Sequence, residues 1–282
     1  MAQLWLNGSE VDSLSWSVLG GHGFLHGVRV MTSMLAIGRH VIDQERHLLR
    51  LQDHCSQLGL PEGLSSDLLR FEIEQSLVAS SSLDYSRVRV ILFENESGHL
   101  QRLIAVSKES RDDLERKMQQ GVKLSLRREP SWQRGAHIKT GIIGVRSFHL
   151  NRAKKNGFDD ILWSNGDGEL AEATWGNIFL IGRTGDLVEI ATPPPSSGIL
   201  EGITRRRIIE LLGHAQIPVT VRVITDDEVP RFDEAFTSSS IAGLVPVNQI
   251  GAHRLHTLRK NGVFSHVSRL YQTWISKVGL MV

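Results

Sequence analysis

Arg87-Val88-Arg89-Val90-Ile91-Leu92 is the stretch on which the reading of the chain turns. Side chains alternate across an extended strand, so Val88, Val90 and Leu92 share one face while Arg87 and Arg89 project from the other. Helical stretches lie upstream of it. From Asp43, a candidate N-cap, the run to Leu58 spaces Leu48, Leu51, Cys55 and Leu58 by three and four residues until Gly59 and Pro61 stop it. A second helical stretch covers 66–78. Further out, Leu4 to Leu6, the turn pair Asn7-Gly8 and Glu10-Val11 read as a hairpin, with another around Gly38. Leu103 to Val106 reads as a further strand. The strongly charged residues 108–120 then mark a domain boundary, giving a smaller N-terminal α/β domain over 1–112 and a larger β-rich domain over 113–282.

In the second part Val122, Leu124 and Leu126 alternate with polar residues, and a helical stretch leads to Gly157. Short strands follow at Asp160 to Trp163 and Asn177 to Ile181. Thr192-Pro193-Pro194-Pro195-Ser196-Ser197-Gly198 is a rigid loop, and Gly202-Ile203-Thr204-Arg205 opens a helix that ends near Gly213. Strands at Val219 to Val223 and Glu234 to Ser238, and a terminal helix from Leu255 to Val278, complete the pattern.

Composition removes several classes of function. Of 282 residues 40% are hydrophobic and 22% charged, which excludes a fibrous or disordered chain. Lys plus Arg (32) nearly cancels Asp plus Glu (31), so no overall field favours nucleic acid or an anionic membrane. The single cysteine, Cys55, leaves no internal disulfide, zinc ribbon or iron–sulfur cluster. No secretory signal and no apolar run of about 20 residues is present, and the chain reads as a cytoplasmic protein. Gly21-His22-Gly23-Phe24-Leu25-His26-Gly27 misses the dinucleotide-loop spacing, and its histidines have no adjacent carboxylate to complete a metal site. Walker, zinc-protease and nucleophile-elbow motifs are absent.

A set of short pieces carries the chemistry: His47-Leu48-Leu49-Arg50-Leu51, Lys139, Glu172 within Gly168-Glu169-Leu170-Ala171-Glu172-Ala173, Asn177-Ile178-Phe179, Thr192-Pro193, Gly202-Ile203-Thr204-Arg205 and Ser238-Ser239-Ser240. By periodicity alone Arg50 lies off the apolar stripe of its helix, in a row with His47 and His54 that reads as a solvated face. The order and spacing of the set resemble the class IV aminotransferase family, the fold-type IV pyridoxal phosphate enzymes, over nearly the whole sequence. The resemblance implies an N-terminal α/β sandwich, a C-terminal pseudo-barrel, pyridoxal 5'-phosphate in the cleft between them, and a homodimer acting on a small amino substrate. It makes Lys139 the catalytic amine that holds the cofactor and shuttles protons, and Glu172 the acid paired with the pyridine nitrogen. Arg50, Ile203, Thr204, Ser239 and Ser240 become partners of the cofactor, chiefly of its phosphate. Arg89 and the backbone at Ser240 and Ile241 become holders of the substrate carboxylate. No metal is implied.

Departures from the family pattern bear on the reaction. Where members commonly read Gly-Asp-Gly-Val-Phe-Glu, this chain has Gly27-Val28-Arg29-Val30-Met31-Thr32, placing Arg29 and Thr32 at candidate substrate-contacting positions. The tyrosine that branched-chain enzymes carry five residues after the lysine is Gly144 here. Thr32 resembles the lyases of the family more than its aminotransferases, Gly144 weakens the branched-chain reading, and Arg29 matches no subgroup. The leading expectation is therefore 4-amino-4-deoxychorismate lyase, releasing 4-aminobenzoate and pyruvate. The alternative is an aminotransferase for branched-chain or D-amino acids, and a non-catalytic scaffold is a remote third.

Overall fold

The computed structural model describes residues 2–12, 24, 28–61, 63–80, 84–129, 138–140, 144–184 and 187–279. Apart from Phe24, the glycine- and histidine-rich stretch 21–27 lies outside the described residues. The chain divides into two compact units: Met1–Arg111 with Ile138–Ile142 and Gly279–Val282, and Asp112–His137 with Ile143–Val278.

The first unit is built on a six-stranded sheet in the order β2-β1-β6-β5-β3-β4. Its strands are β1 (Gln3–Leu6), β2 (Ser9–Val11), β3 (Arg29–Ile37), β4 (His40–Val41), β5 (Tyr85–Glu94) and β6 (Leu100–Lys108). The β1–β2 turn uses Asn7 and Gly8, both at positive φ, and Gly38 turns β3 into β4 at φ 57°. Helices α1 (Gln44–Gln57) and α2 (Ser66–Ala79) follow β4. Val88, Val90 and Leu92 have no exposed surface and join Val30, Met34, Leu48, Leu51 and Ile73 in one core. Each fully buried aliphatic side chain contributes about 1.5–3 kcal/mol.

A side-chain cap is expected at Asp43, at the start of α1; the structure has one at the start of α2 and none at Asp43. The Ser65 hydroxyl accepts from the Leu68 amide at 3.3 Å. Asp43 stands at the N-cap of α1 in a left-handed conformation (φ 51°) and makes no cap bond; its carboxylate lies 3.7 Å from Arg46 instead. Asp43 lies two residues after β4, and with this left-handed backbone its carboxylate meets Arg46 and not the helix amides.

The second unit carries α3 (Arg111–Gln120, beginning at the boundary), α4 (Gly144–Lys155), α5 (Ile203–His214) and α6 (Val263–Gly279) around a nine-stranded sheet. Its strands are β7 (Val122–Arg128), β8 (Asp160–Ser164), β9 (Leu170–Ala173), β10 (Asn177–Thr184), β11 (Leu187–Thr192), β12 (Val219–Val221), β13 (Phe232–Ser239), β14 (Gly243–Ile250) and β15 (His253–Arg254). The path runs β12-β11-β10-β13-β14-β7-β8-β9, with β15 beside β14. The end of β9 meets the residue before β10 through an Ala173–Gly176 bridge, so the sheet curls back on itself into a pseudo-barrel. The charged 111–120 segment is a helix with no buried residue.

The terminal helix begins at Val263 rather than at Leu255. The buried Glu234 carboxylate accepts from the amides of Val263 and Phe264 at 3.1 and 2.8 Å and fixes the start of α6. Leu255 instead continues from β15, its amide bonded to the Asn248 carbonyl at 2.8 Å.

Cys55 is buried in the first core and unpaired. Burial pushes its thiol up to about 11, so near pH 8 about one in a thousand is ionised. Native protein is expected to react with a thiol-specific disulfide reagent far more slowly than urea-unfolded protein. Equal rates for the two would show that the α1 face is open to solvent.

Candidate active site

Lys139 was expected in the second domain; the structure groups residues 138–142 with the first unit. The physical reason is its main chain. The Met31 amide donates to the Lys139 carbonyl at 2.9 Å, and the Lys139 amide donates to His54 Nδ1 at 3.3 Å. Held on one side by the edge of β3 and on the other by α1, the lysine backbone is fixed in place whatever its amine does.

Beneath it on α1, the row of His47, Arg50 and His54 is not the solvated face that periodicity implied. His47 is 1% exposed and His54 5% exposed. His47 Nδ1 and the Thr32 hydroxyl lie 2.6 Å apart, and Arg50 Nη2 donates to the same hydroxyl at 3.2 Å. Burial, and then the charges of Arg50 and Lys139, hold His47 well below its ordinary pKa. Thr32 was expected to touch substrate; it is fully buried on the core side of β3 and serves the His47–Arg50 pair. Strand alternation decides this, because Thr32 falls between Met31 and Ser33 on the opposite face.

That opposite face holds Arg29, Ser33, Arg87 and Arg89. Arg89 Nε reaches Ser33 Oγ at 3.5 Å, and Arg87 pairs with Glu109 at 3.0 Å. Burial lowers the pKa of Arg89, the neighbouring Arg87 lowers it further and Glu109 opposes the shift. The Arg29 guanidinium lies 5.3 Å from the centre of the Phe24 ring.

In the second unit Glu172, only 7% exposed, sits on β9. Its carboxylate accepts from Arg146 Nη1 at 3.3 Å, Asn177 Nδ2 at 3.3 Å and the Leu200 amide at 3.1 Å. Asn177 also donates to the Leu200 carbonyl at 2.8 Å, tying β10 to the approach to α5. That helix starts at Gly202, which supplies no capping side chain, so its first-turn amides at Ile203 and Thr204 remain available to an anion. Gly202 packs so tightly on Asn177 Oδ1 that a Cβ has no room. Arg205 is buried against the loop that precedes the helix, donating to Thr192 Oγ1 at 3.2 Å and the Pro193 carbonyl at 2.9 Å. Ser239 ends β13, and its hydroxyl accepts from the Ala242 amide at 3.2 Å, bracing the turn that carries Ser240 and Ile241. The register pairs Asn177 with Ser238, so that turn begins beside the Glu172–Asn177 pair.

Sequence reasoning gave no role to His54, Arg146 or Arg205. A buried acid on a short strand needs donors, and that requirement points to a nearby arginine without saying which one.

Residues of this kind suit an enzyme that works through a lysine amine and an anionic cofactor. The model of the family described as Amino-transferase class IV matches residues 29–250. A Thermotoga maritima protein named a probable branched-chain-amino-acid aminotransferase is 32% identical over 209 residues, 74% of this chain and 72% of its own length. Among solved structures, the branched-chain aminotransferase of Thermoproteus uzoniensis with norvaline matches with a TM-score of 0.81 at 21% identity, covering 98% of this chain and 94% of its own. The PLP-bound form of a hypothetical aminotransferase from Mycobacterium tuberculosis gives 0.84 at 18% identity, with 96% and 99% covered. The chain belongs to the class IV aminotransferase family, enzymes that use pyridoxal phosphate. These relatives carry the aminotransferase alternative and not the lyase that was the leading expectation.

The lowered pKa of His47 has a consequence for stability. Unfolded His47 takes up a proton near pH 6.5, whereas the native residue resists protonation. Its contribution is complete above that pH and is lost as pH falls toward the lowered native value, at up to about 1.4 kcal/mol per pH unit. The melting temperature of His47→Asn should fall less between pH 7.5 and pH 5.5 than that of the wild type. Equal falls would overturn the assignment of a buried neutral imidazole.

Proposed function

We propose that the enzyme transfers an amino group between α-amino and α-keto acids, with Lys139 as its catalytic amine. The observation that carries this reading is Glu172, a nearly buried carboxylate met by Arg146, Asn177 and the Leu200 amide beside an uncapped helix start. A fixed acid is what a protonated ring nitrogen requires, and free helix amides suit a phosphate. The residues present therefore fit pyridoxal phosphate, which when bound supplies an electron sink for the carbon that loses its proton.

Each side chain then has a defined task. The Lys139 amine would hold the cofactor and would carry the proton removed from the amino-bearing carbon of the substrate. Glu172 would keep the ring nitrogen protonated. Arg50, the amides of Ile203 and Thr204, and the hydroxyls of Ser239 and Ser240 would hold the phosphate. Arg89, with the turn at Ser240 and Ile241, orients the substrate carboxylate.

Thr32 and Gly144 motivated the lyase reading. The first of these is now a buried hydroxyl between His47 and Arg50, a position that serves either reaction. Branched-chain amino acids come first for testing because of the relatives' names. A homodimer belongs to the proposal, and light scattering on the purified protein checks it: a mass of a single chain would count against it.

The spectrum of the purified protein with added cofactor should contain the band of lysine-bound pyridoxal phosphate, and Lys139→Ala should abolish it. Amino acids that are substrates should convert the band to that of the aminated cofactor, and a keto acid should restore it. No response to any amino acid, with pyruvate released from aminodeoxychorismate, would return the assignment to the lyase.

A further inference from the structure

Lys139 stands at the centre of a three-residue turn that is held from two sides. The Thr140 amide donates to the Ile138 carbonyl at 3.1 Å, two residues back, which is a γ-turn. The Lys139 carbonyl accepts from the Met31 amide at 2.9 Å. β4 pairs with β3 only at Ala36 and Ile37, so Met31 lies on a part of the strand that β4 leaves unpaired. The Lys139 amide donates to His54 Nδ1 at 3.3 Å. The peptide plane before the lysine is thus held by His54, the plane after it by Met31, and the two planes are bonded to each other. With both planes fixed, φ and ψ of Lys139 are fixed, and the amine moves by side-chain torsions alone.

Of these three bonds, the one to His54 is the one that uses a side chain; the other two join main-chain groups and survive substitution. His54 stands in the last turn of α1, in the row that also carries His47 and Arg50, and is 5% exposed. An imidazole nitrogen that accepts from an amide carries no proton, so the bond selects the tautomer protonated at Nε2. The charge of Lys139 helps to hold His47 neutral, which puts the amine within electrostatic reach of the same row of α1. One helix therefore bears on both parts of the lysine, on its main chain through His54 and on its amine beside His47.

We propose that His54 is a positioning residue for the Lys139 amine: by holding the Lys139 amide it sets the turn from which the amine reaches the carbon that loses its proton. This deepens the aminotransferase reading and rests on it. Without the imidazole, the peptide plane before Lys139 keeps the γ-turn bond alone and is free to rotate. A rotation of about 10° at Cα displaces an amine about 6 Å away by about 1 Å, and a misplacement of that size can cost up to about a hundredfold in rate. His54 acts through the lysine main chain, so its loss falls on kcat and leaves KM in place.

The test compares the cofactor-loaded wild type with His54→Leu, close to the imidazole in volume but without an acceptor, and with His54→Asn, whose Oδ1 stands as many bonds from Cα as Nδ1 does. Hydrogen exchange, resolved to the Lys139 amide by peptide fragmentation, should be about tenfold faster in His54→Leu and near the wild-type rate in His54→Asn. With an amino donor that the wild type accepts, His54→Leu should lower kcat about tenfold with KM within about twofold, and His54→Asn should restore most of kcat. Loss of packing alone would lower the melting temperature of both variants and give no rescue by the asparagine. Exchange in His54→Leu as slow as in the wild type, an unchanged kcat, or a His54→Asn no better than His54→Leu overturns the positioning role and leaves the aminotransferase intact. Should neither variant fold, the wild type decides: a Lys139 amide that exchanges as fast as an unstructured peptide overturns the role, and a protected one supports it. If the wild type turns over no amine, the aminotransferase reading fails by itself. The exchange comparison needs no turnover and then judges His54, with equal rates in wild type and His54→Leu overturning it.

Discussion

The register of β3 is the constraint on which the first unit depends. Three consecutive residues of that strand serve three different directions: Met31 donates its amide to the Lys139 carbonyl, Thr32 turns inward to His47 and Arg50, and Ser33 turns outward to Arg89. A strand can do this because its two faces and its edge point in different directions. A slip of one residue against β5 would exchange the faces, burying Ser33 and Arg29 against the helices and exposing Thr32. The apolar alternation of Val30, Met34, Val88, Val90 and Leu92 prevents that slip. The same hydrophobic pattern that makes the sheet therefore also aims the lysine support, the Arg50 network and the arginine face.

The second unit solves a similar problem by different means. Glu172 is nearly buried on a four-residue strand, where a lone carboxylate would be costly. Arg146 from α4, Asn177 from β10 and the Leu200 amide answer it, and each comes from a different element. The acid thereby becomes a junction that fixes the approach to α5. Asn177 stands so close to Gly202 that no side chain fits there, which keeps the first turn of that helix uncapped. One buried charge thus sets both its own position and the exposure of a set of amides that suit an anion.

Much of this was legible in the sequence where the cause is local. The alternation at 87–92, the Asn7-Gly8 and Gly38 turns and the 66–79 helix follow from side-chain period and turn chemistry, and the structure has them. What escaped reading depends on long-range packing. The row of His47, Arg50 and His54 looks polar, hence solvated, until the strand and lysine that cover it are known. Leu170–Ala173, Leu187–Thr192 and Gly243–Ile250 are strands that the sequence reading passed over. The first is very short, and the others have mixed burial that breaks the simple alternation. The start of α6 was placed too early because its cap is Glu234, almost thirty residues upstream in the chain. The residues of the candidate site came from the ordered motif set; no periodicity could have picked out Lys139 or Glu172 among the other charged residues.

Thr32 illustrates why a residue-type departure is a weak guide to reaction type. A carboxylate at that position would give Arg50 a counter-charge and would favour a protonated His47. The hydroxyl does neither, and His47 is held neutral. At this position Arg50 therefore meets a neutral hydroxyl and not a carboxylate. A buried hydroxyl that orients Arg50 and a neutral His47 is compatible with lyase and aminotransferase alike.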